Sequence, residues 1–439
     1  MPAPQEAPGD VMIVVPLVLP DRSLAVSERE GHVEEWGRQV MRQGMAAAWV
    51  AQAPLRAAVP CPGCGEAATV GAGSKPRQVE TLFGPVALPR QRRRCRGCGR
   101  HYQPDDAVLA REVGSGQLSP HLREVTALCG ASWPYRQAAD VLGRLRGAPL
   151  SAETVRAVVG TVGSAVAGAQ AQAAAVACAP PATAPEPGRA VPDRIEVELD
   201  GAWVHSHDNP HGREVKVGVV HTGSVVVGTR RRQLAQRGYA ATAQGVAAFG
   251  PLVTAVLEAR NGFAAAVQAL FGDGAAWIWR LGAELLPAAT WVLDRWQLAD
   301  ARRRALRAVL PEKSARAPWS ARVEERLEAG DVPGVVAVLA ELAASAPHPA
   351  LTEFAGYVTT LAPCIPNYAA RRAAGERIGS GGIEKGVAVV VNRRLKGRRG
   401  MRWWRERVEG MIALRVALLN DAWDQLIPPA LTAQKLPAF

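Results

Sequence analysis

The sequence predicts a multidomain α/β protein, and three observations lead to this fold class. Two close pairs of cysteines lie in the first quarter of the chain, and amphipathic helical segments follow them. Beyond a tract rich in alanine and proline, the hydrophobic period changes to the alternation typical of strands. The chain has 439 residues, of which 48% are hydrophobic, enough for two or three domains with a substantial buried core.

Two short cysteine motifs predict a zinc ribbon. They read Cys61-Pro-Gly-Cys64 and Cys95-Arg-Gly-Cys98, with 30 residues between them and a glycine after each pair. Two residues between thiolates allow a tight turn to aim both sulfurs at one tetrahedral metal. The segments Val79–Leu82 and Val86–Arg90 predict a β-hairpin between the motifs. Disulfides are the alternative, but intracellular thiols stay reduced, so we expect one structural Zn²⁺.

Helical segments lie on both sides of this ribbon. Ser27–Gln52 has apolar residues at helical spacing, and Ser119-Pro120 supplies an N-cap and a first-turn proline for a second helix. Further helices are predicted over Tyr135–Leu145 and after the capping residue Ser151. Three short helices with a glycine turn before the last resemble a helix-turn-helix and predict DNA binding, although any small helical bundle has this pattern.

After the Ala- and Pro-rich tract, the pattern predicts a sheet with interspersed helices. The predicted elements are strands over Ile195–Val204, Glu214–His221 and Val225–Leu234, a helix over Thr242–Leu257, a strand over Val267–Phe271, another helix, and a strand over Ala289–Leu293. This order is the layout of an RNase H-like domain. A helical segment punctuated by prolines, from Ala301 to about Thr360, predicts an all-α insertion, after which the core resumes with helices over Ile383–Leu395 and Trp404–Leu419.

Changes of period and composition set the predicted domain boundaries. They give an N-terminal helical region (1–55), a zinc ribbon (56–110), a helix-turn-helix-like domain (115–170), an Ala/Pro linker (171–192), a first core segment (193–300), an all-α insertion (301–362), a second core segment (363–425) and a tail (426–439). The RNase H-like core is therefore expected to be discontinuous in sequence, with two small DNA-binding modules in front of it.

Three acidic residues are the candidate catalytic groups. Asp200 lies in the first core strand, Asp273 ends the fourth between two glycines, and Glu384 lies in the first turn of a helix. Carboxylates in such a set hold two Mg²⁺ or Mn²⁺ ions, which activate an attacking oxygen and stabilise a leaving one. Each acid alone is also compatible with a turn or cap role. Asp294 is the alternative second carboxylate, but we prefer Asp273 because the fourth strand of this fold neighbours the first.

Clustered positive charge predicts a polyanionic partner. The formal net charge is +12, and between Arg371 and Arg415 there are 13 Arg/Lys and 4 Glu, a local net of +9. Each phosphate neutralised by such a cluster releases condensed counterion. A solvated basic face is the alternative. The residues expected to contact DNA are Arg393, Arg394, Lys396, Arg398, Arg399, Arg402 and Trp403, and a second basic cluster spans Arg90 to Arg100.

A membrane partner is not expected. No apolar stretch reaches the roughly 18 residues needed to span a bilayer, and neither basic cluster lies on a clearly amphipathic helix. The apolar run Val11–Leu19 is short and has no basic region before it, unlike a signal peptide. We therefore expect a cytoplasmic, nucleoid-associated protein.

Several motifs together resemble a known family. The segment from Ile378 to Gly386 and the following Asn392–Trp403 look like the C-terminal signature of bacterial insertion-sequence transposases, within these the ISLre/ISKra-type, Mutator-like DDE enzymes. The cysteine motifs, Glu198-Leu-Asp-Gly, Gly272-Asp-Gly and Leu293-Asp-Arg-Trp-Gln occur in the family order. The resemblance covers roughly residues 60 to 420. It implies Asp200, Asp273 and Glu384 as the catalytic triad.

The resemblance also defines one departure. Family members tend to carry Cys or Asp followed three residues later by His after the fifth strand, but Gln297 stands at the histidine position after Asp294. Glutamine can donate a hydrogen bond to a phosphate but cannot carry a proton or a positive charge. Activity is therefore expected to be reduced relative to family members.

The expected function is a DDE transposase that binds element ends and performs Mg²⁺-dependent strand cleavage and transfer. Its partner would be double-stranded DNA, both element ends and target, bound by a homodimer or higher oligomer. Two alternatives stay open, a nuclease of the same fold that only hydrolyses DNA and a zinc-ribbon DNA-binding protein with an impaired catalytic core. The acidic triad argues against the last of these, and Gln297 argues mildly for it.

Overall fold

The computed structural model describes residues 25–51, 59–113, 116–147, 149–178, 188, 190–229, 231–397 and 400–432. The chain divides into two compact units, one formed by residues 1–165 and 424–439 and the other by residues 166–423. The division falls inside a long helix, ahead of the predicted linker. Within the described ranges, every helix lacks the length or the apolar character needed to cross a bilayer.

The first unit contains the cysteine motifs on a small set of strands. Its elements are α1 Val26–Ala51, β1 Thr69–Ser74, β2 Arg77–Thr81, β3 Gly84–Leu88, β4 Gln91–Cys95, β5 His101–Tyr102, α2 Asp105–Glu112, α3 Pro120–Ser132, α4 Tyr135–Arg146 and the start of α5 Ala152–Ala177. Strand β4 lies between β1 and β5, and β2 pairs with β3 as the predicted hairpin. Trp49 on α1 packs with Val79, Val86 and Leu88 and donates from Nε1 to the carbonyl oxygen of Pro89.

The helices predicted after the ribbon are present, but the third is much longer than expected. Ser119 Oγ accepts from the Leu122 amide at the start of α3, and Gly147 ends α4 in the left-handed conformation (φ 63°). Helix α5 continues to Ala177, so the segment predicted as a linker, residues 171–192, begins as a helix. Alanine is the strongest helix former, and the Ala-rich portion therefore extends the helix.

The second unit is built on a mixed sheet. Its strands are β6 Arg194–Val204, β7 Arg213–His221, β8 Ser224–Val227, β9 Arg231–Leu234, β10 Gly238–Thr242, β11 Val267–Gly272 and β12 Thr290–Leu293. In the described part of the chain, five of them form one sheet in the order β10-β7-β6-β11-β12. β7 is antiparallel to β6 and β10, whereas β11 is parallel to β6 and β12.

The third strand of this sheet is not the predicted one. Strands β8 and β9, which share most of their residues with the predicted strand Val225–Leu234, pair with each other in a separate two-stranded sheet, and the main sheet is completed by Gly238–Thr242. Three of the five residues in Gly-Tyr-Ala-Ala-Thr are glycine or alanine, which are depleted in strands, whereas the valines of β8 are enriched in them. The segment is a strand because it packs against β7, α6 and α15, contacts that local propensity cannot reveal.

Helices complete the second unit. They are α6 Val246–Glu258, α7 Ala276–Leu285, α8 Arg295–Val309, α9 Lys313–Ala329, α10 Val332–Ser345, α11 Pro349–Thr360, α12 Tyr368–Ala373, α13 Gly381–Val387, α14 Arg393–Leu395, α15 Arg405–Leu419 and, across the unit boundary, α16 Trp423–Thr432. A π-helical turn, Ala388–Asn392, joins α13 to α14. Residues of α8–α11 share one apolar cluster with β6, β11 and β12, so the predicted all-α insertion is packed onto the sheet.

Candidate functional site

Four cysteines form a compact cluster in the first unit. The Sγ atoms of Cys61, Cys64, Cys95 and Cys98 all lie within 4.8 Å of one another. Cys61 Sγ is 3.7 Å from Cys98 Sγ, and Cys64 Sγ is 3.5 Å from Cys95 Sγ. Four sulfurs each about 2.3 Å from one tetrahedral Zn²⁺ are about 3.8 Å apart. The cluster therefore fits a zinc ion, which would be structural because protein ligands fill all four positions.

Both cysteine motifs use the same turn. Gly65 and Gly99 have φ values of 74° and 73°, a left-handed conformation that favours glycine. Their amides donate to the carbonyl oxygens of Cys61 and Cys95, which closes each turn. The Gly63 amide also donates to Cys61 Sγ at 3.4 Å, and this bond, together with those from the Cys64 amide and the neighbouring thiols, lowers the pKa of the Cys61 thiol to about 7. The same cluster raises the pKa of the Cys64 thiol, so the thiols titrate as a coupled set. A lowered thiol pKa favours the thiolate that metals bind.

Asp200 lies in a setting that opposes its ionisation. It is on β6, the central strand of the sheet, and its Oδ1 accepts from the Gly201 amide at 2.6 Å. Burial raises the pKa of its carboxyl to about 6, and the negative charges of Asp273, Glu214 and Glu384 add to this effect. The sheet and α13 thus bring Asp273 and Glu384, the other two sequence-predicted carboxylates, within electrostatic reach of Asp200.

Asp273 follows β11 at the neighbouring strand end. Its Oδ1 accepts from the Ala275 amide at 2.9 Å, which shapes the turn into α7. Tyr357, from α11, lies against the next residue, and a Cβ at Gly274 would come within 2.8 Å of the Tyr357 ring. Burial, with the charge of Asp273, raises the pKa of Tyr357 to about 12, so its hydroxyl keeps its proton. The helical insertion therefore supplies one wall of the Asp273 cavity.

Glu384 is exposed in the first turn of α13, and a buried acid fixes this helix. Glu198 is fully buried on β6, and its Oε2 accepts from the Ile383 amide at 2.9 Å. A Cβ at Gly382 would lie 2.3 Å from Glu198 Oε1, so glycine is needed for the helix end to approach the sheet. An acid is favourable at a helix N-terminus because of the free amides and the helix dipole. Glu198 thus positions the helix that bears Glu384.

Glu198 belongs to a buried charge network that sequence reasoning missed. His221 Nε2 lies 2.9 Å from Glu198 Oε1, and the Arg377 guanidinium pairs with both Glu198 and Glu196. Burial alone would raise the pKa of Glu198, but the hydrogen bond from His221 and the charge of Arg377 hold it below its usual range. Glu198 therefore stays ionised as a helix cap. The one sequence feature that could have indicated this role is that Glu198 lies two residues before Asp200, and therefore on the same face of the strand.

Asp294 is committed to structure. It is buried, and its Oδ1 accepts from the amides of Trp296 and Gln297 as the N-cap of α8. Its Oδ2 accepts from both the amide and the hydroxyl of Ser380, at 2.7 and 2.8 Å. These four bonds occupy both oxygens, so the geometry favours Asp273 over Asp294 as the second metal-binding carboxylate.

Gln297 lies in the cavity that contains Asp273. Its side chain is exposed at the start of α8, beside Arg304 and Tyr357 in the cavity wall. The position therefore faces a candidate catalytic acid, although no hydrogen bond to Asp273 is formed. An amide here can orient a bound group without titrating.

The three carboxylates lack a positive partner. In the described part of the chain, no Lys or Arg forms an ion pair with Asp200, Asp273 or Glu384, whereas the neighbouring Glu214 pairs with Lys216 at 2.6 Å. The carboxylate oxygens of these three residues do not all lie within 4.8 Å of one another, whereas the four cysteine sulfurs do. Among the three, Asp200 has a raised pKa, and a nearby cation would stabilise its charged form.

The basic run is anchored at both ends. Arg393 and Lys396 are exposed in and after α14, Arg402 is exposed ahead of Trp403, and Trp403 pairs with Ser206 just beyond the end of β6.

The prediction that Trp403 and Arg394 contact DNA requires correction. Trp403 is buried and donates from Nε1 to the Leu395 carbonyl oxygen, and the buried Arg394 guanidinium lies 5.1 Å from its ring centroid. Both therefore stabilise the loop from inside, and Arg398 and Arg399 lie outside the described residues.

The fold and site define a mixed α/β multidomain protein with a four-cysteine cluster suited to zinc. The chain belongs to the family described as "Uncharacterised protein family (UPF0236)", which matches residues 71–424. A stretch of 154 residues is also 29% identical to the "UPF0236 protein in vanSb 3'region" of Streptococcus gallolyticus. That match covers 35% of this chain and 31% of the relative, so the chain spans about a third of its length.

The raised pKa of Asp200 gives a stability prediction. Asp200→Asn should stabilise the protein without added divalent cation at pH 7.5, by up to about 2 kcal/mol once solvent screening is allowed for. In the wild type, the folded state holds this proton more tightly than the unfolded state, so the contribution of Asp200 to stability falls as pH rises from about 4 to about 6 and is then level.

Urea unfolding between pH 4 and 8 measures this effect. The unfolding free energy of Asp200→Asn minus that of the wild type should increase between pH 4 and pH 6 and stay constant above pH 6. Asp193→Asn is the matched control, because Asp193 is exposed just before the same strand. Identical pH profiles for wild type and Asp200→Asn would contradict the electrostatic description of the site.

Proposed function

We propose that this protein is a DDE transposase of the ISLre/ISKra, Mutator-like type, acting on double-stranded DNA with two divalent cations. The observation that carries the proposal is that Asp273, which follows the strand parallel to β6, and Glu384 lie close enough to Asp200 for their charges to raise its pKa. Such a site suits Mg²⁺ or Mn²⁺, which prefer carboxylate oxygens. When bound, the ions would activate the attacking oxygen and stabilise the leaving one.

The spacing of the acids is compatible with two ions. A two-metal site distributes its ligands over ions about 3.5–4 Å apart, so its carboxylates need not meet the separation of single-ion ligands. Within such a site the chain's own residues have distinct roles. Glu198 fixes the helix of Glu384, Tyr357 covers one side of Asp273, and Gln297 is available to orient a phosphate.

Strand order supports an RNase H-like core. With β6, β7, β10, β11 and β12 counted as strands 1 to 5, the sheet has the order 3-2-1-4-5 with strand 2 antiparallel to its neighbours. This is the arrangement expected for that fold, in which the acids lie on strands 1 and 4 and on a later helix. The β8–β9 hairpin and α8–α11 are additions to it.

A weaker alternative is a DNA-binding protein with an impaired catalytic core, and Gln297 is the observation that favours it. An uncharged side chain faces the Asp273 cavity where the resemblance implies histidine. A nuclease that only hydrolyses DNA is a further alternative, and the products of the reaction separate it from a transposase.

The experiment that tests the proposal uses the full chain and the DNA that flanks its gene. Labelled flanking duplexes are incubated with Mg²⁺, with Mn²⁺ or with Ca²⁺, together with a supercoiled target plasmid. Site-specific nicks and joined products with Mg²⁺ or Mn²⁺ would support a transposase, and nicks without joining would support the nuclease. Specific binding without nicks would support the impaired protein, and absence of binding would refute all three.

The exposed part of the basic run should contribute to DNA affinity. Replacing Arg393, Lys396 and Arg402 by Gln should weaken binding to any duplex and reduce the slope of log K against log salt by about 0.9 for each phosphate that the protein no longer neutralises. Fluorescence anisotropy at several salt concentrations measures both quantities.

A matched control removes cations from another exposed surface. Arg322 and Arg326 lie in the helical insertion and already pair with Glu341 and Asp331. Their replacement by Gln should leave the salt slope unchanged. If both sets of substitutions had the same effect, the basic run would be ordinary surface.

A further inference from the structure

An exposed tryptophan forms one wall of the cavity that contains Glu384. Trp296 is 66% exposed, more than any other tryptophan of the described ranges, and it is outside the apolar cluster that packs the sheet. Single exposed apolar side chains are common and need no explanation by themselves. Its position is the informative feature.

The tryptophan is held by the same residue that holds the loop before α13. Asp294 Oδ1 accepts from the Trp296 amide at 2.8 Å, and Asp294 Oδ2 accepts from the Ser380 amide at 2.7 Å. A Cβ at Gly379 would lie 2.6 Å from the indole ring, so the ring covers this glycine closely. Part of the ring is thus supported by the loop while the rest is open to solvent. The start of the Glu384 helix and the ring are therefore fixed with respect to each other.

The cavity is suited to a small planar group. Its volume is about 540 Å³, and it is lined by Asp294, Trp296, Glu376, Arg377, Ile378, Gly379, Gly381 and Glu384. Its one cationic side chain in the described residues, Arg377, pairs with Glu196 and Glu198 on the sheet. Because that charge is already neutralised and the other charged groups are acidic, the cavity favours an uncharged ring over a phosphate.

We propose that Trp296 is a stacking site for one unpaired nucleobase of the DNA strand that is cut, an inference that rests on the proposed function. Every base has a π-face, so stacking on an indole requires no particular sequence. Taking a base out of a duplex costs a few kcal/mol, and stacking offsets part of that cost. A base held against Trp296 fixes its nucleotide beside Glu384.

The test compares two duplexes that differ only in whether one 2-aminopurine is paired or unpaired. Binding to the full chain is measured with Ca²⁺, so cleavage is not required. Wild type should quench 2-aminopurine emission and prefer the unpaired duplex. Trp296→Ala should abolish the quenching and weaken binding to the unpaired duplex by about 5- to 150-fold, with little effect on the paired one.

Further variants separate stacking from packing. Trp296→Phe keeps an aromatic face and should retain most of the preference, whereas Trp296→Leu keeps apolar bulk and should lose it. Trp203→Ala removes another exposed tryptophan, which is 55% exposed and does not line the cavity, and should have no effect. Equal behaviour of the Phe and Leu variants, or equal affinity of wild type for both duplexes, would overturn the inference. If the wild type still cleaved DNA in that case, the proposed function would stand and only the stacking site would be refuted. If the wild type quenched 2-aminopurine normally but did not cleave DNA, only the proposed function would be refuted.

Discussion

Replacing any one of Asp200, Asp273 and Glu384 by its amide is expected to abolish Mg²⁺-dependent DNA cleavage while leaving DNA binding nearly intact. The amide keeps the shape of the side chain but loses the charge that holds divalent cations. Loss of a cation forfeits several kcal/mol of transition-state stabilisation, so the rate should fall at least about 10³-fold. Single-turnover cleavage of labelled duplex measures the rate, and anisotropy measures binding.

Asp294→Asn is the discriminating control because its effect should be of another kind. The four hydrogen bonds to Asp294 tie α8 to the loop before α13, and an amide nitrogen cannot accept those it replaces. An unsatisfied buried group costs about 1–3 kcal/mol, so the melting temperature should fall. Cleavage below that temperature should persist at a reduced rate, because Asp294 no longer holds the loop before the Glu384 helix as firmly. If Asp294→Asn were folded but inactive while Asp273→Asn stayed active, Asp294 and not Asp273 would be the second metal-binding carboxylate.

The parts of the fold that sequence predicted best have strong local signals. The cysteine pairs carry their spacing and glycines in a few residues, and β6 and β7 alternate clearly. The third strand of the sheet was not predicted because its glycine and two alanines disfavour strands, whereas the neighbouring valines favour them. Burial against other elements decides such cases, and one sequence does not display it.

Long-range contacts account for what was missed in the site. Glu198 alternates with apolar residues and therefore resembles a solvent-facing acid, but the amide of Ile383 covers it from a point 185 residues later in the chain. Tyr357 reaches the Asp273 turn from a helix of the insertion, and nothing in its local sequence indicates this contact. Arg394 and Trp403 resembled a nucleic-acid surface, yet their own loop buries them. The sequence shows which residues are acidic, basic or aromatic, but it does not show which other residues they contact in the fold.

Zinc removal should have the largest effect on the stability of the first unit. Strands β1–β5 are short, and the apolar cluster beside them is small, so the metal is expected to supply much of their folding free energy. Structural zinc contributes apparent binding free energies of about 10–16 kcal/mol in small zinc domains. We expect close to one zinc per chain in freshly purified, reduced protein, and loss of amide protection over residues 59–102 after chelation.

Single substitutions test the ligand set without chelators. Cys61→Ser or Cys95→Ser should release zinc and expose the same amides to hydrogen exchange, because removal of one thiolate opens the tetrahedral site. Cys178→Ser is the matched control, since Cys178 is an exposed cysteine outside the cluster. The second unit holds its own apolar core around β6 and β11, so its amides should keep their protection in every variant. Protein that contains no zinc, or that keeps full protection of β1–β5 after losing it, would show that the four thiols are not a structural metal site.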